Sequence, residues 1–248
     1  PYRFPNQILE RVLGETYGIL VYQEQVMEVA SAMGGFSLGQ ADLLRRAMSK
    51  KKHAVIEQMR TNFIQGAVQK GYSEKIAQQV YRYIENFANY GFNKSHAVAY
   101  SKLAFQLAYL KAHYPGDFYT ALLNSVVGND TKTKTYIQEL KRLGIPTLAP
   151  DINQSSATYT YQNGQIRMGF TAIKGLRRDF IQHLLAERER GGQFKTVDDW
   201  LRRMGNQGID EDVIDKLIFA GALDSFGYNR AELDEYLPEL LKGITFSG

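Results

Sequence analysis

An arginine pair followed by a lysine run is the first group of residues that could do chemistry. Arg45 and Arg46 lie near the end of a predicted helix, and Lys50, Lys51 and Lys52 follow it. The helix dipole favours cations there, which is the structural explanation for one or two of them. Five basic residues within residues 45–52 exceed that need. Because the guanidinium fork matches phosphate oxygens, the pattern predicts a phosphate-binding surface.

A second group of functional side chains stands at the start of a long predicted helix. Lys94 and Ser95 lie at its N-terminus, where backbone N–H groups lack partners and the dipole favours anions. His96 and Tyr100 follow at a spacing of four and share a face. One phosphate could receive the Lys94 ammonium, the Ser95 hydroxyl and the amides together. The alternative is structural, with Ser95 as the N-cap and His96 and Tyr100 as half-buried residues.

A glycine-containing turn between predicted helical segments occurs twice. The first turn carries Lys174, Gly175 and Arg177, and the second centres on Gly221 and is followed by Asp224. Two helices joined by such a turn form a helix–hairpin–helix, whose backbone amides hold DNA phosphates without reading bases. Two plain turns between helices are the alternative. Arg177 stands where the usual motif has a second glycine, and Asp224 makes the second turn less cationic.

Composition narrows the possible classes of protein. The 248 residues carry a net charge of +4, which fits an anionic partner, and they include no cysteine. The chain therefore has no disulfide, thiolate metal site or cysteine nucleophile, and a cytoplasmic location is expected. The four histidines lack metal-ligand spacing, no carboxylate pair indicates a two-metal site, and no G-x-x-x-x-G-K loop occurs. We therefore predict neither a catalytic residue nor a metal site in this sequence.

The elements that position these residues are predicted to be mainly helical. Ser37 and Gln40 form a capping box, and an apolar stripe between residues 76 and 87 indicates an amphipathic helix. A long helix is predicted from about Ser95 to His113, ahead of Pro115. Residues 163–164 are Asn-Gly, which predicts a β-hairpin turn. No apolar run has the length of a membrane span.

The same residues resemble the family of bacterial replicative DNA polymerase III alpha subunits, of the DnaE type. The matching segments occur in the family's order along nearly the whole chain: 16–19 (TYGI), 22–27 (YQEQVM), 41–48 (ADLLRRAM), 50–52 (KKK), 91–96 (GFNKSH), 99–100 (AY), 110–115 (LKAHYP), 150–153 (PDIN) and 169–175 (GFTAIKG). Five of these nine segments, 41–48, 50–52, 91–96, 99–100 and 169–175, contain candidate site residues named above. The resemblance therefore covers the chemistry as well as the length of the chain.

The resemblance implies a helical fingers domain over residues 1–165, a tandem helix–hairpin–helix region over 166–228, and the start of a following segment over 229–248. It implies contacts with the incoming deoxynucleoside triphosphate for six residues: Arg45, Arg46, Lys94, Ser95, His96 and Tyr100. Contacts with the DNA backbone are expected at six others: Lys50, Lys51, Lys52, Lys174, Gly175 and Arg177. The family's catalytic aspartates and their Mg²⁺ belong to a palm upstream of residue 1. The sequence is therefore expected to be part of a longer polymerase and inactive alone.

The expected partners are deoxynucleoside triphosphates and primer–template DNA. The sliding clamp and other replisome subunits are expected through the full-length protein, and a membrane is not. Two other classes of function stay open from the residues alone. One is a non-catalytic DNA-binding module that depends on the helix–hairpin–helix pair, and the other is a protein-interaction scaffold whose basic faces are solvated.

Overall fold

The computed structural model describes residues 6–87, 90–205 and 208–245, which fall into two compact units, Pro1–Gln106 and Leu107–Gly248. The described residues are mainly helical, with one small sheet, which confirms the predicted fold class. The division into units lies within a helix. The functional domain boundaries expected at residues 165 and 228 stay predictions.

The first unit is built from helices around one apolar core. The helices are α1 (Gln7–Leu13), α2 (Gln23–Ala32), α3 (Leu38–Ser49), α4 (His53–Gln69), α5 (Glu74–Phe87) and α6 (Lys94–His113), the last of which continues into the second unit. The predicted capping box is confirmed, because Ser37 Oγ accepts from Gln40 N–H at 3.2 Å and Gln40 Oε1 accepts from Ser37 N–H at 2.9 Å. Phe63 and Tyr81 lie fully buried where α4 packs against α5.

The second unit places two helices beside a small sheet. These helices are α7 (Pro115–Ser125) and α8 (Asp130–Arg142), and the strands are β1 (Thr147–Leu148), β2 (Thr160–Gln162) and β3 (Gln165–Arg167). The sheet order is β1-β3-β2, with β1 parallel and β2 antiparallel to β3. The predicted hairpin turn is confirmed, since Asn163 and Gly164 have positive φ angles of 52° and 77°. Both angles suit the Asn-Gly pair.

The rest of the second unit is helical and has a core of its own around the buried Trp200. Its helices are α9 (Arg178–Gly191), α10 (Val197–Met204), α11 (Glu211–Ala220) and α12 (Arg230–Thr245). Upstream of Gly175 the chain forms only a 3-10 turn, Phe170–Ala172, where a helical segment was predicted. An extended Ile173 and the positive φ of Gly175 separate that turn from α9.

Candidate functional site

The lysine run forms the C-terminal cap of α3. Lys51 N–H donates to Met48 O at 3.0 Å and Lys52 N–H donates to Ala47 O at 2.8 Å, which is the hydrogen-bond pattern of a Schellman cap. Lys51 has a φ of 53°, the left-handed conformation that glycine adopts without strain. Lys50, Lys51 and Lys52 are exposed. The cap therefore turns three ammonium groups toward solvent and holds a lysine where glycine is favoured.

One carboxylate holds both members of the arginine pair. Asp42 Oδ1 accepts from Arg45 Nε at 2.9 Å and Nη2 at 2.8 Å, while Asp42 Oδ2 accepts from Arg46 Nε at 2.7 Å. The hydrogen bonds from Arg45, together with the charge of Arg46, lower the pKa of Asp42. Asp42 therefore fixes the directions of two guanidinium groups while neutralising one charge of two.

Asn93, rather than Ser95, caps α6. Asn93 Oδ1 accepts from His96 N–H at 3.0 Å, and the Ser95 hydroxyl also donates to it. The helix begins at Lys94, one residue earlier than the sequence predicted. The structural alternative for Ser95 is therefore wrong, because the preceding asparagine already supplies the cap.

Two carboxylates engage Lys94. Its ammonium forms an ion pair with Glu15, which raises the pKa of Lys94, and it lies 5.6 Å from the centroid of the Tyr22 ring. The backbone N–H of Lys94 donates to Glu24 Oε2 at 2.9 Å. A phosphate at this helix start would have to displace Glu15 from the Lys94 ammonium.

Three aromatic rings form an exposed row along the start of α6. The ring centroids of Phe92 and His96 lie 5.7 Å apart, and those of His96 and Tyr100 lie 4.5 Å apart. Tyr100 is 62% exposed and His96 is also exposed, so the half-buried alternative for these two residues is wrong. The row is available to a flat ligand or to a segment that covers it.

Gln23 connects the lysine run to the start of α6. Its Nε2 donates to Ser49 Oγ at 2.8 Å and to Gly91 O at 3.4 Å, and its backbone N–H donates to Phe92 O at 2.9 Å. A Cβ at Gly91 would lie 2.9 Å from Phe87 Cε1, so the close approach requires glycine. Sequence reasoning assigned Gln23 no role, and its only signal was its place in the segment at 22–27.

Gln25 also holds the segment at 22–27 in place. This buried side chain accepts from the backbone N–H groups of Val21 at 2.9 Å and Tyr22 at 3.0 Å. It donates to Val12 O at 3.2 Å and Thr16 Oγ1 at 2.8 Å. All four bonds of the amide are satisfied, as a buried polar group requires. Gln23 and Gln25 thus hold the end of α3, with its lysine run, and the start of α6, with Lys94, in fixed positions within the first unit.

The Gly175 turn presents unpaired backbone donors together with cations. Within the described residues, the N–H groups of Lys174, Gly175 and Arg177 have no acceptor. Arg177 pairs with Asp179 at 3.3 Å, and it precedes α9 without capping it by a side chain. Lys216 reaches this turn from α11, since a Cβ at Gly175 would lie 3.1 Å from Lys216 Nζ. No pattern in the sequence indicated this approach.

The Gly221 turn has the same backbone angle and a different use of its amides. Gly175 and Gly221 both have a φ of 80°. Gly221 N–H donates to Ile218 O at 2.9 Å and Ala222 N–H donates to Leu217 O at 2.9 Å, so both amides cap α11. The Gly221 and Ala222 amides are therefore not available to a phosphate.

Neither a metal site nor a membrane span is found in the described part of the chain. No three His, Asp or Glu side chains in residues 6–87, 90–205 and 208–245 come together to hold an ion. None of the helices in those ranges has the length and apolarity needed to cross a bilayer. The Mg²⁺ that the resemblance implies is expected in a palm upstream of residue 1, and that expectation stays a prediction.

Comparison with known proteins gives two family matches, one in each half of the chain. Residues 1–71 match the bacterial DNA polymerase III alpha subunit finger domain, and residues 144–233 match a helix-hairpin-helix motif. The first match contains the arginine pair, the lysine run and Gln23, and the second contains both glycine turns. The arginine pair and the lysine run thus lie in the part of the chain that matches a polymerase finger domain, and the two glycine turns lie in the part that matches a helix-hairpin-helix motif, whereas Lys94 lies in neither match.

Curated relatives extend the match over almost the whole chain. DNA polymerase III subunit alpha of Bacillus subtilis is 46% identical over 233 residues, that of Thermus aquaticus 45% over 241, and that of Borreliella burgdorferi 42% over 243. These alignments cover 94–98% of this chain and 20–21% of the relatives, so the chain spans about a fifth of their length. The chain is a section of the bacterial DNA polymerase III alpha subunit family, as the sequence resemblance predicted.

Proposed function

We propose that this chain is the nucleotide-binding and DNA-backbone-binding section of a replicative DNA-directed DNA polymerase. The relatives' printed names support polymerase as the class, and the two family matches support fingers and helix–hairpin–helix as the parts. The relatives are about five times as long, so the activity belongs to the full-length protein.

The contacts of Gln23 carry the proposal for the nucleotide. They join the end of α3, with its arginine pair and lysine run, to the start of α6 at Gly91. Each of these elements supplies cations, and α6 adds the exposed row that contains His96 and Tyr100. A triphosphate with a flat base requires several cations and an aromatic surface held at a fixed separation. Gln23 provides the fixed separation.

The carboxylates beside these cations define how a triphosphate would bind. Asp42 and Glu15 pair with Arg45, Arg46 and Lys94, and all of these groups are at least partly exposed. Exposed ion pairs are weak because water screens them. A triphosphate carries several negative charges and accepts bidentate hydrogen bonds, so it can displace these carboxylates. Until then they hold the cations in extended, ordered positions.

Contacts with the DNA backbone complete the proposal. Lys50, Lys51 and Lys52 project from the cap of α3, and the Gly175 turn offers free amides with Lys174 and Arg177. Backbone amides and lysine ammonium groups are typical contacts to phosphate oxygens, and such contacts carry no sequence information. Both would bind phosphates whatever the sequence of the duplex.

The section positions reactants in the intact enzyme. There the primer 3′-hydroxyl attacks the α-phosphate, a bond forms between them, and pyrophosphate leaves. The resemblance assigns the metal-binding aspartates to a palm outside this sequence. Arg45, Arg46 and Lys94 would neutralise the charge that develops on the leaving phosphates. The full-length protein would supply the clamp and other replisome contacts.

Primer extension tests whether catalysis requires the full-length parent. The purified chain and its full-length parent are each given primed template, Mg²⁺ and all four deoxynucleotides. The parent should extend the primer and the chain should not. Extension that follows the chain through purification would contradict the assignment of catalysis to the parent.

Direct nucleotide binding tests the site itself. Calorimetric titration of the parent with a deoxynucleoside triphosphate should show weaker binding after Arg46→Ala. Arg11→Ala is the matched control, because Arg11 is an exposed arginine of the first unit paired with Glu28 at 3.4 Å. Equal losses in the two variants would indicate general charge attraction and contradict a specific site.

A further inference from the structure

A cation lies directly against each of the two glycine turns. A Cβ at Gly175 would lie 2.9 Å from Lys216 Cε, and one at Gly221 would lie 2.6 Å from Arg230 Nη2. Each cation comes from a helix outside the turn that it covers. A cation from a neighbouring helix thus lies against the glycine in both turns.

Each of these cations is also held by an aspartate. Lys216 pairs with Asp212 on the same helix. Arg230 donates to Asp224 through two parallel bonds, Nε to Oδ1 at 3.0 Å and Nη2 to Oδ2 at 2.6 Å. A carboxylate bound by a guanidinium fork occupies the positions that a phosphate would take. Asp224 therefore mimics a phosphate at the Gly221 turn.

The surroundings of Arg230 suit a sugar–phosphate strand. Phe219, whose carbonyl accepts from Arg230 Nη1 at 3.5 Å, is 76% exposed. A DNA strand alternates an apolar sugar with an anionic phosphate, and an exposed ring beside a guanidinium complements both. Because the amides of Gly221 and Ala222 already cap α11, the Arg230 guanidinium beside the turn is a side-chain donor for a phosphate there.

We propose that Arg230 is a second DNA-phosphate contact of the helix–hairpin–helix region and that Asp224 competes with DNA for it. This inference rests on the proposed binding of the DNA backbone and deepens it. The duplex must displace Asp224 before Arg230 can bind a phosphate. Asp224 thus lowers the affinity for DNA and allows the duplex to move on. The Gly175 turn, with its free amides, does not need such an exchange for its backbone contacts.

The experiment measures duplex binding by the whole chain at several salt concentrations. Fluorescence anisotropy with a labelled duplex gives the affinity and its dependence on salt. Arg230→Ala should lower the affinity about threefold to tenfold and reduce the salt slope by about one unit. Asp224→Asn should raise the affinity by a similar factor. Arg230→Lys keeps the charge and should retain most of the salt slope.

The matched controls use the exposed pair on α8. Arg142 donates to Glu139 at 2.7 Å, so Arg142→Ala and Glu139→Gln make the same charge changes away from the turns. If each control shifts the affinity as much as its counterpart at the Gly221 turn, the specific role of Arg230 and Asp224 is refuted. If Arg230→Ala does not fold, the comparison of Asp224→Asn with Glu139→Gln decides alone.

The outcomes separate this inference from the proposed function. Absence of salt-dependent binding by the unaltered chain would overturn both. Normal binding that Lys174→Ala weakens, but that Arg230→Ala and Asp224→Asn leave unchanged, would overturn only the second phosphate contact. Opposite effects of the two turn variants, each larger than its control, would support the exchange.

Discussion

The cationic groups of the first unit and the Gly175 turn of the second unit use different parts of the chain to present donors. In the first unit the donors are side chains that pair with Asp42 and Glu15, and the amide of Gln23 joins the end of α3 to Gly91 ahead of α6. At the Gly175 turn the donors include backbone N–H groups, exposed by a positive φ. Side-chain donors depend on residue identity, whereas backbone donors depend on local conformation. The two regions should therefore respond to different substitutions.

Loss of one arginine should have the largest effect. In the full-length parent, Arg46→Ala should lower kcat/KM for nucleotide about tenfold to a hundredfold, because a charge-assisted contact in the transition state is lost. Binding of primer–template should change little. Single-turnover kinetics and DNA anisotropy measure the two quantities. Weakened DNA binding with unchanged nucleotide kinetics would mean that the arginine pair serves the other ligand.

Removal of the tie at Gln23 should have an intermediate effect on the first unit alone. Gln23→Ala removes the bonds to Ser49 and Gly91, so we expect kcat/KM for nucleotide in the parent to fall about threefold to tenfold, at roughly 0.5–1.5 kcal/mol for a lost hydrogen bond. DNA binding that depends on Lys174 should be unaffected. Gln78→Ala, on exposed α5 surface, is the control. A fall shared by both variants would remove the case for a positioning role.

Gly175→Ala should disturb the second unit by changing the backbone. The φ of 80° strains any L side chain, and the new Cβ would meet Lys216 Cε at 2.9 Å. We expect a loss of about 1 kcal/mol in the free energy of unfolding and weaker duplex binding. Urea denaturation and anisotropy check both. Gly128→Ala, at a φ of 89° with open space around it, controls for strain alone. Duplex binding equal to that of the control variant would argue against the turn as a donor.

Lys51→Gly should stabilise the chain and weaken its binding to DNA. Glycine relieves the left-handed strain at a φ of 53°, which we expect to add about 0.5–1 kcal/mol to the free energy of unfolding. The lost ammonium should lower duplex affinity and flatten the salt dependence by about one unit. Lys50→Gly removes the same charge where φ is −93° and should not stabilise. Undiminished DNA binding by Lys51→Gly would exclude this lysine as a phosphate contact.

The pH dependence of Asp42 should be the smallest effect. Its pKa lies below the ordinary 3.8 in the folded chain because Arg45 and Arg46 bind the ionised form. Its contribution to stability is therefore present above pH 3.8 and is lost as the pH falls through the lower folded value. The difference in urea midpoint between the chain and Asp42→Asn should shrink over that acidic window. A difference that grows toward acid would reverse the assigned sign.

Local signals in the sequence predicted much of the fold. The capping box of Ser37 and Gln40, the helix stop before Pro115 and the Asn-Gly hairpin each follow from interactions within a few residues. The predicted helix from about Ser95 to His113 is confirmed by α6 (Lys94–His113), whereas its cap was beyond local signals, because Asn93 and Ser95 are both able caps and only the structure shows that Asn93 accepts. The side-chain exposure of His96 and Tyr100 was also beyond local signals.

The sequence by itself determined the helical class, the hairpin, the order of the basic groups and the family, since each depends on neighbouring residues or on motifs in order. Only the tertiary structure decided the partners of those groups. Gln23 contacts Gly91 across 68 positions of sequence, Lys94 pairs with Glu15 across 79, and Lys216 lies against Gly175. Such contacts depend on how helices pack. Packing is set by the whole core, and no spacing of residues along the chain encodes it.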